Sequence, residues 1–448
     1  FSLYHSFILY FLEGYVMHFS IPDTRELQDT HGNLFTGYHI HINGVYHCTV
    51  RYSQLHSLNE QLKREVGSNL PSFPPKKIFP LTSVQVEERR YMLEKYIQNV
   101  SQDQRVITSE TFNIFLVTAQ QESQGATRED VDIDVFLMNG SKITVHGQST
   151  SRTGEILKKV SSNIGLQDKY IPNFSLYLIQ KEDKGTIRIL RILQDFESPH
   201  ISQKSVNGPV RIVLRKSYWD PTFDEELLSD KICLNLLYIQ TVADIERGWV
   251  LTPPDFRHHL TQLQAKGSKL QYMKTAKSLR YYGYVEFSPC VCDYPSLDTP
   301  VTISIGQKEL IFRYDPRSPL SKHVVFRVTR MRCWRITTAV PSNSKIPRLE
   351  LAFEYLMSKD KLMWINIVSE QAVLISMCLQ QMVDELLKIK ENDENLTIFD
   401  GQQGSGKGTK MESAEVSVKK LTSKFTTRSA GHPLIENTAF DNIGDDDL

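Results

Sequence analysis

Hydrophobic residues near the start of the chain follow two different periods, which predict a small unit of strands and helices. Residues 38–52 alternate around Asn43-Gly44, a dipeptide that tolerates the positive φ angles of a tight hairpin turn. Leucines at helical spacing predict a helix from Ser53, and two further helices are expected over 86–100 and 109–121. A proline-rich loop separates the first two helices, and a polar linker follows the third.

The next region begins with another hairpin pattern. Residues 131–147 alternate around Asn139-Gly140, and apolar residues then recur at helical spacing over 153–166. Two β-prone runs follow at 174–180 and 210–216. A hairpin, a helix and further strands in this order are typical of a ubiquitin-like roll.

The second half of the chain changes from a helical pattern to a strand pattern near residue 284. Residues 217–284 predict a small helical bundle, and the apolar runs between 285 and 368 have the length of strands. A strong helix at 369–390 closes this part, an arrangement typical of pleckstrin-homology and phosphotyrosine-binding sandwiches. Residues 391–448 are polar and poor in aromatics, which predicts disorder.

Composition narrows the class of protein. The 448 residues are 40% hydrophobic and 23% charged, an ordinary globular mixture, and the formal net charge is zero, so nothing global points to nucleic acid. Within residues 391–448, 11 acidic and 6 basic side chains give −5, which leaves +5 for the first 390. Six widely spaced cysteines indicate a reducing compartment, and Cys290-Val-Cys292 suits a strand better than a zinc site. No metal or cofactor is expected.

The first 16 residues are apolar but shorter than the about 20 residues that span a bilayer, and they lack the basic residues of a signal peptide. We interpret residues 1–16 as an extension of unclear status, with Met17 as a natural start. No other stretch is long and apolar enough to cross a membrane, so a cytoplasmic protein is expected.

A group of cations around the first two helices is a candidate anion site. Arg51 precedes a helix start, where a cation is unfavourable unless an anion binds there, and Ser53 is the expected cap. Its guanidinium can hold a phosphate through two hydrogen bonds, and the flat ring of Tyr52 can support a sugar-like ring. The other cations are Lys76 and Lys77 on the proline-rich loop, and Arg89 and Arg90 at the start of the second helix.

The segments RYSQL, FPPKK and RRYMLEKY resemble the phox-homology (PX) domain, which binds phosphatidylinositol 3-phosphate. The resemblance implies that Arg51 holds the 3-phosphate and that Tyr52 packs under the inositol ring. It also assigns the 1-phosphate to Lys76 or Lys77 and the ring hydroxyls to Arg89, with Arg90 as the alternative. Ile78 and Phe79 are candidates for insertion into the bilayer or for core positions.

Longer motifs extend the resemblance over the rest of the folded part. LRKSYWD, TVADIERGW, FRVTRMRCWR and LELAFEYLMSKDKLMW resemble, in this order, the FERM-containing sorting nexins. The resemblance implies an α+β multidomain fold in which a three-lobed FERM-like unit follows the PX domain. The expected parts are a PX domain at 17–125, a ubiquitin-like lobe at 130–216, a helical lobe at 217–284, a sandwich of the pleckstrin-homology or phosphotyrosine-binding type at 285–390, and a disordered tail at 391–448.

Members of this family bind Asn-Pro-x-Tyr or Asn-x-x-Tyr sequences of receptor tails, and the resemblance implies such a groove in the sandwich. An extended peptide adds there as a strand, with main-chain hydrogen bonds giving affinity and side-chain pockets giving specificity. We expect the edge strand at Arg332–Thr338, with Trp334 and Ile336 on one face. Cys378 and Met382, one helical turn apart, are candidates for the opposite wall, and core positions are the alternative for these four side chains.

The C-terminal region carries two candidate binding segments and one misleading motif. Gly401–Lys407 fits the glycine pattern of a phosphate-binding loop, but no βαβ unit follows, so we interpret it as a flexible linker. Asn437 to Phe440 imitates the cargo motif with Phe in place of Tyr, which suggests that the tail occupies its own groove. The end from Ile443 to Leu448 resembles the acidic family terminus that docks onto the retriever (commander) recycling complex.

The function implied by the resemblance is that of a non-enzymatic sorting adaptor on the cytosolic face of early endosomes. Such an adaptor binds phosphatidylinositol 3-phosphate and receptor tails, such as those of integrin β chains. It returns this cargo to the plasma membrane instead of the lysosome. The alternative is a FERM-type membrane–cytoskeleton or signalling scaffold, although actin-linked relatives place the FERM unit first and add a long helical tail.

Overall fold

The chain forms two compact units, residues 1–287 and residues 288–448. The computed structural model describes residues 19–29, 31–42, 45–67, 69–77, 79–125, 127–181, 187–314, 322–339, 348–358, 361–400, 435–437 and 440. Among the helices within these ranges, none combines the length and the apolar character needed to cross a bilayer. Several positions singled out in the sequence lie outside the described residues: residues 1–16, Met17, Asn43-Gly44, Ile78, Gly401–Lys407, Ile443 and Leu448.

The N-terminal lobe of the first unit is an antiparallel sheet with packed helices. Its elements are β1 (Phe19–Ser20), β2 (Thr24–Gln28), β3 (Leu34–Ile42), β4 (Val45–Arg51), α1 (Tyr52–Val66), α2 (Ser83–Val100), α3 (Gln104–Ile107) and α4 (Glu110–Ser123). Strand β3 is central and pairs with β1, β2 and β4. Ile42 pairs with Val45, which confirms the first hairpin. The leucines that predicted α1 are buried in the core of this lobe.

Helix α1 begins one residue earlier than the sequence pattern predicts. Its first residue is Tyr52, and Arg51 occupies the N-cap position in an extended conformation. The expectation that Ser53 caps the helix is therefore wrong. Instead, Gln54 Oε1 accepts a hydrogen bond from the main-chain N–H of Arg51 at 2.7 Å, which fixes the start of the helix.

Helix α2 also begins earlier than predicted, because Thr82 and Gln85 form a capping box. Gln85 Oε1 accepts from Thr82 N at 3.1 Å, and Thr82 Oγ1 accepts from Gln85 N at 3.4 Å. The first helical residue is Ser83, so Arg89 and Arg90 lie in the second turn and not at the N-terminal end. The helix dipole is weak there, and it gives these two arginines no special role.

The ubiquitin-like lobe follows and contains a mixed sheet. Its elements are β5 (Asp130–Phe136), β6 (Lys142–Gln148), α5 (Thr153–Ile164), β7 (Phe174–Lys181), β8 (Ile187–Ile192), α6 (Pro199–Lys204) and β9 (Val210–Lys216). The strand order is β6-β5-β9-β7-β8, with β5 and β9 parallel. Phe136 pairs with Lys142 across the second predicted hairpin, where Gly140 adopts a φ of +85°.

The N-terminal and ubiquitin-like lobes share a buried junction. Phe196 of the ubiquitin-like lobe is 5% exposed and belongs to the apolar core of the N-terminal lobe. Its ring meets that of His47 with a centroid separation of 5.7 Å. Gln120 of α4 donates to Ser202 Oγ at 3.1 Å and accepts from Ser198 N at 2.9 Å. These contacts pack the two lobes together, although a polar stretch of sequence joins them.

The helical lobe completes the first unit. Its elements are α7 (Asp224–Leu227), α8 (Lys231–Glu246), α9 (Pro254–Ala265) and α10 (Lys269–Lys277), followed by the short strand β10 (Val285–Glu286). Asp230 caps α8 by accepting hydrogen bonds from Ile232 N and Cys233 N, both at 2.9 Å. The cap separates α8 from α7 within a single apolar run of the sequence.

A buried ionic cluster connects β9 to the helical lobe. Arg215 pairs with Asp244 at 3.3 Å, and both side chains are almost fully buried. The buried carboxylate of Asp224 accepts hydrogen bonds from Tyr218 Oη and, at 2.7 Å, from Tyr282 Oη. Burial, reinforced by the charge of Asp224, raises the pKa of both tyrosines well above the ordinary value, so they remain donors.

The second unit is an antiparallel sandwich closed by a long helix. Its elements are β11 (Cys290–Cys292), β12 (Thr299–Gly306), β13 (Glu309–Arg313), β14 (His323–Arg327), a 3₁₀ turn (Val328–Arg330), β15 (Met331–Ala339), β16 (Arg348–Ser358), β17 (Lys361–Val368), α11 (Ala372–Asp400) and β18 (Ile435–Glu436). The order is β14-β13-β12-β11-β17-β16-β15-β18. Helix α11 packs against β15 and β16.

The prediction of disorder over 391–448 is wrong at two places. Helix α11 continues to Asp400, ten residues beyond the expected end at 390. Further along, Ile435–Glu436 forms an edge strand on β15. Composition failed here because β18 is stabilised by main-chain hydrogen bonds to a strand a hundred residues away, which leave no signature in a short polar sequence.

Candidate functional sites

Arg51 lies where strand β4 ends and α1 begins, and two neighbours hold its guanidinium. Its Cζ atom is 3.5 Å from the centre of the Phe35 ring, and Nη1 is 3.6 Å from a carboxylate oxygen of Asp29. The side chain remains 40% exposed. Phe35 and Asp29 thus offset part of the unfavourable position of a cation at an N-cap, and the guanidinium stays accessible to an added anion.

The carboxylate of Asp29 is fixed by its own loop. Oδ1 accepts the main-chain N–H groups of His31 and Asn33, both at 2.9 Å. The hydrogen bonds from Asn33 and His31, with a smaller contribution from the charge of Arg51, hold the pKa of Asp29 below its ordinary value. Asp29 is therefore an ionised partner of Arg51 in the ligand-free protein.

Sequence analysis missed both neighbours of Arg51. In the register of β3 and β4, Arg51 faces Gly37, which puts Phe35 two residues away on the same face. Asp29 reaches the site from the loop between β2 and β3. Neither residue belongs to the motifs around Arg51, so strand pairing was the only signal that relates them to it.

The ring of Tyr52 connects α1 with α2 and with the proline-rich loop. Arg89 lies over this ring, with Cζ 4.4 Å from its centre, and Tyr52 Oη donates to the carbonyl of Pro74 at 2.8 Å. Arg89 Nη2 is buried beside the Tyr38 hydroxyl, and neither atom forms a hydrogen bond of good geometry. Burial raises the pKa of Tyr38, and the charge of Arg89 counteracts part of that rise.

The loop that follows Pro74 presents two cations and an aromatic ring to solvent. Lys76 and Lys77 are exposed and lie two and three residues beyond Pro74, at most about 11 Å along the chain. Phe79 is 82% exposed, so it is not a core residue. We call Arg51, Tyr52, Lys76, Lys77 and Arg89 the anion pocket, and Ser53 is exposed next to it in the first turn of α1.

Arg90 is engaged within the lobe and is poorly placed for a ligand. Its Nε donates to Glu87 at 2.8 Å, and Nη1 donates to the carbonyl of Ile21 and lies 3.5 Å from Glu94. The side chain is 15% exposed. Of the two alternatives for the ring hydroxyls, Arg89 is the one stacked on Tyr52.

The second candidate site is the outer edge of β15, the edge that does not face β16. A short segment of the same chain pairs with it. β18 pairs antiparallel with β15, with Ile435 opposite Trp334 and Glu436 opposite Cys333. The next main-chain N–H, that of Asn437, donates to the carbonyl of Arg332 at 3.0 Å. Residues 435–437 therefore lie along the edge of β15, immediately before the rest of the Asn-x-x-Phe segment; Thr438 and Ala439 lie outside the described residues.

Asn437 is the anchor of this segment and is 4% exposed. Its side-chain Nδ2 donates to the carbonyls of Val328 and Met331 at 2.8 and 2.6 Å. A primary amide has two N–H donors on one nitrogen, which matches two carbonyls, whereas a carboxylate has none. We call the carbonyls of Val328, Met331 and Arg332 the asparagine pocket. Phe440 N donates back to Asn437 O at 3.0 Å.

The predicted groove residues lie at and beneath this edge. Arg332 is half exposed and forms an ion pair with Glu354 on β16. Trp334, Ile336, Cys378 and Met382 are all buried, and Trp334 Nε1 donates to Ser376 Oγ on α11 at 2.9 Å. Burial raises the pKa of the Cys378 thiol, which is therefore neutral and packs as a small apolar side chain. These four residues join β15 to α11.

The architecture and the two sites define a protein with a PX lobe followed by a three-lobed FERM-like unit. Residues 38–119 match the PX domain family. Residues 131–219 match the F1 lobe of the sorting nexin 17/27/31 FERM domain, and residues 220–280 the F2 lobe of the sorting nexin 17/31 FERM domain. Residues 283–387 match the sorting nexin 17 FERM C-terminal domain.

Two curated relatives match nearly the whole chain. Human sorting nexin-17 is 44% identical over 470 residues, covering 96% of this chain and 100% of that protein. Human sorting nexin-31 is 32% identical over 443 residues, with the same coverage of 96% and 100%. The chain belongs to the PX-FERM sorting nexins of the sorting nexin-17/31 type, a family of adaptor proteins.

The two relatives differ in how similar they are to this chain. The sequence motifs, especially in the tail, predict sorting nexin-31 as the better match. The overall identity is higher to sorting nexin-17, so it does not support that prediction. Among solved structures, the complex of the FERM and C-terminal domains of Drosophila Merlin aligns with 59% of this chain and 98% of that chain, at 12% identity and a TM-score of 0.38.

Proposed function

We propose that this protein is a non-enzymatic endosomal sorting adaptor with two ligands. Phosphatidylinositol 3-phosphate binds the anion pocket, and Asn-Pro-x-Tyr or Asn-x-x-Tyr segments of transmembrane cargo bind the edge of β15. The observation that carries the proposal is the strand Ile435–Glu436 added to that edge, followed by the buried asparagine Asn437 of an Asn-x-x-Phe sequence. Membership of the PX-FERM sorting nexins supports both halves.

The lipid half rests on the chemistry of the anion pocket. Arg51 presents an accessible guanidinium, which suits a phosphate dianion because two parallel hydrogen bonds can form. Lys76 and Lys77 supply further positive charge for a second phosphate, and the Tyr52 ring offers an apolar surface to the inositol. Phe79, exposed beside the two lysines, has the character of residues that enter the headgroup region of a bilayer.

Flotation of the intact protein with liposomes that each contain one phosphoinositide tests the lipid half. We expect binding to the 3-phosphate lipid, and its loss in Arg51→Ala. Arg105→Ala is the matched control, because Arg105 is a 60% exposed arginine of the same lobe, paired with Asp103. Equal flotation of Arg51→Ala and the intact protein would contradict this half of the proposal.

The cargo half predicts that binding depends on the side-chain amide of the peptide. Calorimetry with a chain shortened by residues 435–448 removes the internal occupant of the edge, including strand β18. An Asn-x-x-Tyr peptide should bind this chain, and its Asp-x-x-Tyr counterpart should bind about tenfold or more weakly, because two carbonyls are left without donors. Equal affinity for the two peptides would exclude the β15 edge as the cargo site.

The residues after Phe440 supply a third proposed contact. The acidic end from Ile443 to Leu448 is proposed to recruit the retriever complex, so that cargo such as integrin β chains returns to the plasma membrane. Lipid, cargo and retriever then bind one chain together, and each contact raises the effective concentration of the next. Loss of retriever capture on removal of these six residues, with unchanged lipid flotation, is the expected result.

A further inference from the structure

The asparagine pocket depends on an irregular stretch of backbone. In a regular strand, successive carbonyls point to opposite edges, yet the carbonyls of Met331 and Arg332 both accept hydrogen bonds from Asn437. The register explains this, because Met331 pairs with Tyr355 and Cys333 pairs with Glu354, which leaves Arg332 as an extra residue on β15. A β-bulge of this kind re-aims the backbone at one point of the edge.

The third carbonyl of the asparagine pocket, that of Val328, comes from the 3₁₀ turn immediately before the bulge. This turn is held at each end by a contact with another strand. Tyr355 Oη accepts a hydrogen bond from Arg327 N at 3.2 Å at the start of the turn. Arg330 Nη2 donates to the carbonyl of Met357 at 3.1 Å at its end. Both contacts come from β16, so they fix the turn relative to the strand that pairs with the bulge.

A third contact fixes the middle of the same backbone. Val328 N donates to the carbonyl of Lys308 at 2.9 Å. Lys308 and Gln307 form the turn between β12 and β13, and both have left-handed φ angles, of 69° and 48°. A two-residue hairpin turn needs positive φ at both central residues, and this turn places the Lys308 carbonyl where Val328 N donates to it.

We infer that Tyr355 and Arg330 are positioning residues for asparagine recognition. Each acts by holding the backbone that carries the Val328 and Met331 carbonyls. The Tyr355 ring is well suited to this role, because it packs edge-on against Phe326 at 5.0 Å and leaves the hydroxyl in a fixed place. For external peptides this inference rests on the proposed function, whereas for the chain's own segment it does not.

Hydrogen exchange of the full chain, read at residues 435–437, tests the inference. Tyr355→Phe removes one oxygen and keeps the ring, and we expect it to lower protection of these amides about tenfold, the effect of one hydrogen bond. In an Asn437→Ala background, the side-chain amide that the pocket binds is already absent. Tyr355→Phe should therefore have little further effect on main-chain exchange. Tyr314→Phe is the matched control, since Tyr314 Oη donates to the Tyr294 carbonyl elsewhere in the sandwich.

The comparison of backgrounds separates a positioning role from a general structural one. Equal losses of protection in both backgrounds, or no loss in the intact background, would overturn the inference. Arg330→Met, which keeps the apolar stem, should follow the same pattern as Tyr355→Phe. If external peptides do not bind the shortened chain, the cargo half of the proposed function fails, while the exchange measurement on the chain's own segment still decides the inference.

Discussion

The side-chain amide of Asn437 donates to the carbonyl of Val328 at 2.8 Å, across 109 positions of sequence. This contact makes the C-terminal segment an occupant of the edge at which cargo is proposed to bind. An occupant on the same chain competes at an effective concentration that reaches the millimolar range when the connection is suitable. If cargo binds this edge as proposed, it has to displace the internal segment.

Loss of the Asn437 amide should increase the affinity for external peptides. Asn437→Asp replaces two donors by a carboxylate facing carbonyl oxygens, so the internal segment should leave the edge. We expect the full chain to bind an added Asn-x-x-Tyr peptide about tenfold more tightly by calorimetry. Asn163→Asp introduces the same charge at an exposed position of α5 and should change nothing. Unchanged affinity in Asn437→Asp would mean that the segment does not compete.

The ion pair between Arg51 and Asp29 should limit the affinity for lipid. Asp29 places a negative charge 3.6 Å from Arg51, where it repels an incoming phosphate. Asp29→Asn keeps the shape and removes the charge, so flotation with the 3-phosphate lipid should increase several-fold. Asp103→Asn, next to Arg105 in the same lobe, is the control. A decrease in Asp29→Asn would show that the carboxylate orients Arg51 and does not oppose the ligand.

The buried carboxylate of Asp224 should be essential for stability. It accepts hydrogen bonds from Tyr218 and Tyr282, and its removal leaves two buried hydroxyls without their acceptor. We expect Asp224→Ala to lower the free energy of unfolding by about 3–5 kcal/mol in urea titrations. Asp132→Ala, at a 71% exposed side chain, should stay within about 0.5 kcal/mol of the parent protein.

His47 should make the junction between the first two lobes sensitive to acid. Burial lowers the pKa of His47 to about 4 from its ordinary value of 6.5, with the charge of Glu197 opposing the shift and that of Arg191 adding to it. Its Nε2 lies 3.0 Å from the Leu116 carbonyl, so the neutral ring donates there. Because the folded pKa is the lower one, the contribution to stability is complete above pH 6.5 and is lost as pH falls toward 4.

The size of this effect follows from the shift in pKa. Between pH 7 and pH 5, His47 should account for about 2 kcal/mol of lost stability. Urea titrations at the two values should show a smaller loss for His47→Gln than for the intact protein. His146→Gln, at a 71% exposed histidine, should leave the pH dependence unchanged. Equal pH dependence in all three proteins would mean that His47 is not kept neutral by burial.

Sequence patterns predict most elements of this fold because they read local information. The strand pairs of both predicted hairpins and the amphipathic helices are present, since turn chemistry and periodicity are properties of neighbouring residues. Helix starts were less accurate: the capping box of Thr82 and Gln85 is visible in the sequence and would have placed the start of α2 correctly.

The sites were predicted less completely, because part of each is made by strand pairing. Phe35 and Asp29 reach Arg51 through the register of the first sheet, and no motif contains them. In the asparagine pocket the acceptors are main-chain carbonyls of Val328, Met331 and Arg332, so residue type says little about them. The tail segment was found because its sequence imitates a ligand, which is a property of the peptide and not of its pocket.

The seating of Phe196 in the core of the neighbouring lobe has a mechanical consequence. A headgroup bound at the PX lobe, as proposed, would do more than tether the chain to a membrane. It would also set the orientation of the ubiquitin-like lobe relative to the bilayer, because Phe196 packs that lobe into the core of the PX lobe. Replacing Phe196 with a small side chain would leave the lipid contacts intact and would allow the ubiquitin-like lobe to change its orientation.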